Sequence, residues 1–413
     1  RRARARRACA CARRARARRA RACRACRHGA TAMTDLHAIP AMANAHSHAF
    51  QRDMRGAAER PAPEANARDD FWSWRTAMFA AADRLDPERM RDVAARVYGE
   101  MRAAGYGVVG EFHYVHHQPD GTPYAEPNAL AHAVAEGARD VGLAIVLIPA
   151  AYHRNGWDGR DRPPAGGQRR FCDPDVERFL ARVDALRGWA AGRPGVSVAV
   201  AAHSVRAVPA SWLEAIAAYA EAHGLPRHVH AHEQRRELAE CAAEHGCSPI
   251  ELLRRSGFLG PSTSVIHGVH VSAADVRALA QTDTIVVSCP TTEGNLGDGH
   301  LPAMVYREAG VRLAIGSDSQ VRVDPFEEVR ELETGARRER ELRAGLLAGA
   351  PGGDLWAELV ANGRASLGLD AAAPPVGIDL AHPQIAGIAP EDLARAWATC
   401  ASASVVGEPA PAP

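Results

Sequence analysis

Short apolar runs rich in β-branched residues alternate along the chain with longer segments rich in alanine, arginine, glutamate and leucine. The short runs have the length and composition of strands, and the longer segments have the character of helices. Strands are predicted at residues 42–48, 108–114, 144–149, 196–203, 227–232, 264–267, 284–288 and 312–316. Helices are predicted between them, for example at residues 87–104, 128–141, 174–191, 211–223 and 273–281. Eight such repeats predict an α/β fold of the TIM-type (β/α)8 barrel class.

Reactive side chains are concentrated at the carboxyl ends of the predicted strands. They are His46 and His48 on the first strand, Glu111, His113 and Tyr114 on the second, His203 and Arg206 after the fourth, His230 and Glu233 on the fifth, His267 on the sixth and Asp318 after the eighth. Barrel enzymes carry their chemistry on this rim. The placement therefore predicts one active site at the carboxyl end of the barrel.

The pair His46 and His48 is spaced by two residues, which on a strand directs both side chains to one face. On the same rim, His230 and Asp318 add a third imidazole and a carboxylate. This ligand set suits Zn²⁺ with a position left for water, and Fe²⁺ is the alternative metal. Water bound to such a metal has a pKa of about 7. Glu233, three residues after His230, is placed to move its proton.

Other histidines and one cysteine have less specific positions. His267 is predicted to hydrogen-bond the water or to polarise the reacting group. His228, His232 and His270 lie at positions that favour a structural role. Cys289, within a strand end, is predicted to be a small buried apolar residue rather than a nucleophile.

Composition narrows the class of protein. Of the 413 residues 46% are apolar and 24% charged, which is typical of a globular chain, and no apolar run approaches the roughly 18 residues that span a bilayer. Residues 1–27 contain thirteen arginines and no acidic residue, so the rest of the chain has 37 arginines, 49 acidic residues and a net charge of −12. Because binding to nucleic acid requires a basic surface, we expect no nucleic-acid partner. Because no apolar run is long enough to span a bilayer, we expect no membrane partner either.

The arginine-rich leader has three interpretations: a transit peptide, a basic arm that binds nucleic acid, or an upstream stretch preceding a more natural start at Met33. The last is preferred, so residues 1–34 are predicted to lie outside the fold. Five scattered cysteines follow the leader, a pattern that indicates reduced thiols and a cytoplasmic protein. They are Cys172, Cys241, Cys247, Cys289 and Cys400.

Longer motifs surround the rim residues. They are NAHSHAFQR (44–52), FWSWR (71–75), GEFHYVHH (110–117), GQRRF (167–171), HSVRAV (203–208), HVHAHEQ (228–234), CPTTEGNLGDG (289–299) and GSDSQ (316–320). Over residues 39–369 the chain resembles the amidohydrolase superfamily and, within it, the formimidoylglutamate deiminases. The HxH and GSDS motifs are shared by many amidohydrolases, whereas EFHYVHH, FWSWR and TTEGNLGDG are typical of the deiminases.

The resemblance implies a distorted barrel, a site and a reaction. One zinc ion would be held by His46, His48, His230 and Asp318; Glu233, His267 and Asp318 would be catalytic; and Gln51, Arg75, Tyr114, His203 and Arg206 would bind a small dianionic substrate. Binuclear members of the superfamily commonly bridge two metals with a carbamylated lysine, and this chain contains no lysine. The implied activity is hydrolysis of N-formimidoyl-L-glutamate to N-formyl-L-glutamate and ammonia in histidine degradation, by a homodimer.

The chain also departs from the family pattern. Members have strands before the HxH motif that form a small β domain with the C-terminal part of the chain, whereas here the leader occupies that place and the C-terminal return is short. We therefore expect a truncated β domain and an exposed apolar face on the barrel. The predicted divisions are a leader (1–34), the barrel (35–369) and a partial small domain with a disordered tail (370–413). His232 and Gln320 stand where an apolar residue and a histidine are expected.

Two alternatives remain open at this point. One is another deaminase of the same superfamily, which acts on a nucleobase or a guanidine and would need groups that read a ring or a cation. The other is an inactive barrel that serves as an interaction protein; loss of a metal ligand would favour it, and all of the predicted ligands are present.

Overall fold

A computed structural model describes residues 36–59 and 70–407. Its eleven strands are β1 (His37–Pro40), β2 (Met42–Ser47), β3 (Tyr106–His113), β4 (Ala144–Ala151), β5 (Val196–Val198), β6 (Val200–Ser204), β7 (Arg227–Ala231), β8 (Thr263–His267), β9 (Ile285–Ser288), β10 (Leu313–Ile315) and β11 (Pro375–Ile378). The leader and residues 60–69 and 408–413 lie outside the described residues, and so do the predictions for the leader and the tail.

The helices of the described residues follow the strands in alternation. They are α1 (Phe71–Ala82), α2 (Pro87–Ala104), α3 (Ala129–Asp140), α4 (Val176–Ala190), α5 (Ala210–His223), α6 (Arg235–His245), α7 (Pro249–Arg255), α8 (Ala273–Gln281), α9 (Pro290–Leu296), α10 (Ala303–Glu308), α11 (Pro325–Arg340), α12 (Leu355–Ser366) and α13 (Leu393–Trp397). Short 3₁₀ helices are at Ala49–Met54, Gly166–Phe171, Leu346–Gly349, Pro351–Gly353, Pro390–Asp392 and Ala403–Val405.

Local sequence explains where these helices begin and end, as α2 shows. The Asp86 side chain accepts a hydrogen bond from the N–H of Arg89, and a proline occupies the first helical position. Both features satisfy or remove N–H groups that lack a partner within the helix. The helix ends at Gly105, whose φ of 100° lies in the left-handed region that favours glycine.

The parallel strands β2 to β10 form a barrel. The sheet runs in the order β10, β9, β8, β7, β6, β4, β3, β2, with β5 paired to β4. A parallel bridge between Ser47 and Asp318 joins β2, the first barrel strand, to the segment that follows β10, the last barrel strand. Hydrogen bonds of 3.0 Å run from the N–H of His48 to the carbonyl of Asp318 and from the N–H of Asp318 to the carbonyl of His46. The barrel therefore closes at the residues predicted to bind the metal.

The predicted elements agree with the structure to within two residues at each end, with one correction. The strand predicted at 196–203 is divided into β5 and β6 at Ala199. Pairing with β4 keeps the same register on both sides, since Leu147 lies opposite Val198 and Ala150 opposite Ala201. The interruption is thus a local irregularity in one barrel strand.

A small antiparallel sheet of β1 and β11 lies outside the barrel, and an isolated bridge joins Ile378 to Val406. This two-stranded unit agrees with the predicted small β domain. The expected exposed apolar face is wrong: among the described residues, the exposed large hydrophobic side chains are Leu342 and Leu380. The C-terminal return is long enough to cover the barrel, because its apolar residues are buried against it, namely Ile378, Ile385, Leu393, Trp397 and Val405.

No helix within the described ranges combines the length and the apolar character needed to cross a membrane. The domain divisions at residues 34 and 369 stay predictions, and so do the cytoplasmic location and the homodimer.

Candidate metal centre and substrate cavity

Four predicted metal ligands converge on one point at the rim. Nε2 of His46 lies 3.2 Å from Nε2 of His48 and 3.1 Å from Nε2 of His230. Oδ1 of Asp318 lies 3.5 Å from the His46 nitrogen and 3.3 Å from the His48 nitrogen. Ligand atoms of a tetrahedral zinc ion stand about 3.3 Å apart, given metal–nitrogen bonds of about 2.0–2.1 Å. Nε2 of His46 thus lies near this spacing from the other three atoms, and the three histidines, with Asp318 beside them, form a possible site for one metal ion.

Backbone carbonyls fix the tautomers of two of these histidines. Nδ1 of His48 donates to the Phe112 carbonyl at 2.8 Å, and Nδ1 of His230 donates to the His203 carbonyl at 2.9 Å. An imidazole that donates from Nδ1 presents a lone pair on Nε2. Both lone pairs thus point toward His46, whose own Nδ1 is buried without a hydrogen-bond partner.

Burial also sets the charge of the ligands. It lowers the pKa of His48 to about 3 and, together with the neighbouring histidines, lowers the pKa of His46 and His230 well below the usual value. Burial raises the pKa of Asp318 to about 7. Neutral imidazoles are the form that binds metals, and a divalent cation would offset the cost of a buried carboxylate.

The loop that carries Asp318, after β10, is held by hydrogen bonds to Asn44 of β2. The Ser317 N–H donates to Oδ1 of Asn44 at 3.0 Å, and Nδ2 of Asn44 donates to the Ser317 hydroxyl at 2.7 Å. Asp318 itself has a φ of 46°, and His267 on the neighbouring rim has a φ of 73°. Such left-handed conformations are costly for residues other than glycine and often occur at functional sites.

We expect replacement of Gly316 by alanine to destabilise this closure. A Cβ there would lie 2.7 Å from the carbonyl oxygen and 2.9 Å from the backbone nitrogen of His46. The free energy of unfolding should fall by about 1–3 kcal/mol, as for other overpacked sites, and zinc should bind less tightly. Thermal unfolding with and without zinc measures both effects. The control is Gly188→Ala in α4, where a Cβ meets nothing within 4 Å; equal unfolding temperatures in the two variants would contradict the prediction.

The two acid and base candidates face each other beside the ligands. Nε2 of His267 lies 3.6 Å from Oε1 of Glu233 and 3.8 Å from Oδ2 of Asp318. Burial alone would lower the pKa of His267, but Glu233, Glu293 and Asp318 outweigh it and raise this pKa to about 10. The imidazole thus lies between the ligand carboxylate and the proposed proton carrier.

A small cavity opens onto this centre. Every predicted site residue except His46 lines it, and His46 lies fully buried beneath. Its remaining walls are apolar side chains that the sequence argument did not assign to the site, namely Phe71, Trp74, Met78 and Leu296.

Two arginines reach the cavity from different elements. Nη2 of Arg75 in α1 donates to the Tyr152 hydroxyl at 2.8 Å, and its guanidinium lies 4.9 Å from the Phe79 ring centre. The Arg206 guanidinium lies 5.5 Å from the Trp72 ring centre, and its Nε has no hydrogen-bond partner. Within residues 36–59 and 70–407, neither guanidinium forms an ion pair with a carboxylate. One buried and one partly buried positive charge, on Arg206 and Arg75, therefore remain available to an anion.

Neutral groups complete the wall. Nε2 of Gln51 donates to the Tyr114 hydroxyl at 2.8 Å, while Oε1 of Gln51 is buried without a partner. Burial raises the pKa of Tyr114 well above its usual value and lowers that of His203. Both side chains are therefore neutral hydrogen-bonding groups near neutral pH.

A model of the amidohydrolase family matches residues 38–358 of this chain. The chain belongs to the amidohydrolase family. Among its curated relatives is formimidoylglutamate deiminase of Pseudomonas aeruginosa, 39% identical over 301 residues, which are 72% of this chain and 64% of that protein. A second is 5-methylthioadenosine/S-adenosylhomocysteine deaminase of Halobacterium salinarum, 28% identical, with coverage of 82% and 70%.

Solved amidohydrolase structures have the same fold. An amidohydrolase from Brucella melitensis superimposes with a TM-score of 0.80 at 33% identity, covering 89% of this chain and 84% of the other. An adenosine deaminase from Xanthomonas campestris with bound zinc has a TM-score of 0.72 at 21% identity, covering 90% and 78%. These similarities confirm the predicted barrel class.

Sequence reasoning missed three polar residues of this amidohydrolase site. Tyr152 connects Arg75 to Gln168, whose Nε2 donates to the Tyr152 hydroxyl at 3.1 Å. Glu293 accepts a hydrogen bond from Nδ1 of His267 at 3.3 Å. Asp298, with a ligand-capable atom within 4.8 Å of those of Glu233 and His267, accepts from Gln234. Glu293 and Asp298 lie within the TTEGNLGDG motif, which was the available signal.

Less specific histidines of the amidohydrolase barrel have partners elsewhere. Nε2 of His228 donates to the Ser366 carbonyl at 2.9 Å, and Nδ1 of His232 donates to the His270 carbonyl at 2.7 Å. Gln320 binds the hydroxyl of Ser47 at 2.9 Å and thereby supports the strand of the metal ligands. The predicted structural role of His228 and His232 agrees with these contacts. Cys289 is fully buried, as predicted.

Proposed function

We propose that this amidohydrolase hydrolyses N-formimidoyl-L-glutamate to N-formyl-L-glutamate and ammonia, with one zinc ion. One observation carries the proposal: His48, His230 and Asp318 of the metal centre line the same cavity as Arg75 and Arg206, which have no carboxylate partner among the described residues. A substrate with one hydrolysable nitrogen group and two carboxylates fits both parts of the cavity.

Zinc suits the ligand atoms. Nε2 of His46 lies 3.1 to 3.5 Å from the nearest ligand atoms of His48, His230 and Asp318, which suits one tetrahedral ion, and backbone carbonyls fix the tautomers of His48 and His230. A zinc ion bound there would lower the pKa of water to about 7 and so supply a nucleophile at neutral pH.

The protein's own groups move the protons. Glu233 accepts a proton from the water that adds to the formimidoyl carbon and passes it to the terminal nitrogen. It then transfers the remaining hydroxyl proton to the same nitrogen as the carbon–nitrogen bond breaks, so that ammonia leaves and the carbon becomes a formyl carbonyl. Nε2 of His267 faces Glu233 and Asp318, so it is placed to hydrogen-bond the adding oxygen. Asp318 would both bind the metal through Oδ1 and face His267 through Oδ2.

Arginines and neutral donors orient the glutamyl part. Arg75 and Arg206 would each pair with a carboxylate, because a guanidinium binds two oxygens at once. Tyr114, Gln51 and His203 add neutral hydrogen bonds beside the metal centre. This division leaves the formimidoyl group next to Glu233.

Similarity to the P. aeruginosa deiminase supports the substrate, and similarity to deaminases of purine nucleosides keeps a nucleobase as the alternative. The two arginines favour the dianion, because a neutral purine ring would leave the buried Arg206 and the partly buried Arg75 without a negative partner in the cavity. Participation in histidine degradation, a cytoplasmic location, a homodimer and the absence of a nucleic-acid partner belong to this same proposal.

Ammonia release tests the proposal directly. Purified protein is expected to release ammonia from N-formimidoyl-L-glutamate, to lose activity on chelation and to regain it with Zn²⁺. Parallel assays use purine nucleosides and a guanidine compound. Release from a purine alone would replace the substrate, and a zinc-loaded protein inactive on every substrate would favour the inactive-barrel alternative.

Arg206→Ala is expected to lower kcat/KM by about 10- to 100-fold, since a hydrogen bond to a charged group contributes about 1.5–3 kcal/mol. Bound zinc should stay near one per chain, because Arg206 is not among the proposed metal ligands. The matched control is Arg236→Ala: Arg236 also stacks on Trp72, at 4.3 Å, but it is exposed and paired with Glu240. Zinc loss in Arg206→Ala would show that this arginine is structural.

A further inference from the structure

The first turn of α9 contacts two parts of the rim at once. The Thr292 hydroxyl lies 2.9 Å from the Ser319 hydroxyl, next to Asp318. The following residue, Glu293, turns to the other side and contacts His267. A single helical turn after β9 thus contacts the loop of Asp318 through Thr292 and the proposed acid–base residue His267 through Glu293.

The Glu293 carboxylate is held in place independently of His267. Its Oε1 accepts from the N–H of Cys289 at 2.8 Å, and its Oε2 accepts from the Ser288 hydroxyl at 2.9 Å. The residue is 4% exposed. Because a backbone N–H and a strand-end hydroxyl fix both oxygens, the fold rather than the imidazole sets the position of this acceptor.

We propose that Glu293 is the positioning residue of His267, an inference that rests on the proposed function. Oε1 of Glu293 accepts a hydrogen bond from Nδ1 of His267 at 3.3 Å. This contact leaves Nε2 of the ring directed at Glu233 and Asp318. It also holds the ring of a residue whose backbone is in a left-handed conformation. Glu293 itself does not touch the substrate position and acts through His267.

Two substitutions separate positioning from general stability. Glu293→Leu removes the acceptor and is expected to lower kcat by about 10- to 100-fold, as loss of an outer partner does at metal sites. KM and the zinc content should be unchanged, because Arg75, Arg206 and the ligands are not altered. Glu293→Gln keeps a carbonyl oxygen for Nδ1 and should recover most of kcat. The control Asn295→Ala changes an exposed residue of the same helix α9 and should keep wild-type kcat.

A spectroscopic measurement covers the case in which Glu293→Leu does not fold. The Nδ1 proton of His267 should give a low-field proton NMR signal, assigned by its loss in His267→Asn. It should move upfield in Glu293→Gln, because a neutral acceptor forms a weaker hydrogen bond, and stay in place in Asn295→Ala. An unchanged signal in Glu293→Gln would overturn the proposal.

The measurements distinguish this inference from the proposed function. If the wild-type protein releases no ammonia from N-formimidoyl-L-glutamate, the substrate is wrong, and the NMR signal still decides whether Glu293 holds His267. If the wild-type protein is active and folded Glu293→Leu keeps its kcat, the positioning role alone is overturned. A loss confined to zinc binding would assign Glu293 to metal retention and would also overturn it.

Discussion

Glu233→Gln is expected to lower kcat for N-formimidoyl-L-glutamate by about 10²- to 10⁴-fold, the range that a positioned general acid or base contributes. Glutamine keeps the size of the side chain but cannot accept a proton from water or return it to the leaving nitrogen. Oε1 of Glu233 lies 3.6 Å from Nε2 of His267, and Glu233 is 7% exposed, so external water cannot readily replace it. Steady-state ammonia release measures the effect.

Metal content separates this result from damage to the site. Zinc in Glu233→Gln should stay near one per chain, because the carboxylate is not among the four converging ligands. Glu240, in the following helix α6, is partly buried, pairs with Arg162 and Arg236 and does not line the cavity, so kcat should not change in the control Glu240→Gln. A Glu233→Gln protein with wild-type kcat and full zinc would remove Glu233 from the proton-transfer role.

His230→Ala should abolish activity through loss of the metal. Nε2 of His230 lies 3.1 Å from Nε2 of His46, and His46 is the central residue of the ligand set. Since even outer partners of metal ligands change affinity by about 10- to 100-fold, removal of a direct ligand should weaken zinc binding by more than about 100-fold. Equilibrium dialysis against zinc buffers measures this affinity. Because bound zinc stabilises the folded state, chelation should lower the unfolding temperature of the wild-type protein more than that of the variant.

The matched control lies on the same strand. His228→Gln preserves a donor for the Ser366 carbonyl, which Nε2 of His228 contacts at 2.9 Å, and should bind zinc as tightly as the wild-type protein. Equal zinc affinity in His230→Ala and the wild-type protein would contradict the ligand assignment. Equal loss in both variants would indicate that disruption of β7, rather than a missing ligand, releases the metal.

The sequence could group the candidate site residues where neighbouring residues carry the information. The period of two along a strand places His46 and His48 on one face. Because the carboxyl ends of parallel barrel strands share one rim, residues as distant as His230 and Asp318 could be assigned to the same site before their contacts were known. The sequence also determined the kind of ligand atom, and hence the preference for a single zinc ion.

Contacts between distant segments could not be read in this way. The acceptor for Nδ1 of His267 is 26 residues away, and the acceptor for His228 is 138 residues away. Glu293 and Asp298 lie in a recognised motif, but nothing in their spacing shows which histidine a carboxylate will face. The covered barrel face follows from the packing of residues 375–407, which a weakly patterned C-terminal sequence did not reveal.

The sequence by itself thus determined the barrel, the order of its strands and the residue types at the rim, because hydrophobic periodicity and strand ends are local properties. Only the tertiary structure decided how the ends of β2 and β10 join at Asp318, which carbonyls set the histidine tautomers and which carboxylate holds His267. These features depend on hydrogen bonds formed after the chain closes, and such partners are chosen by geometry rather than by distance along the chain.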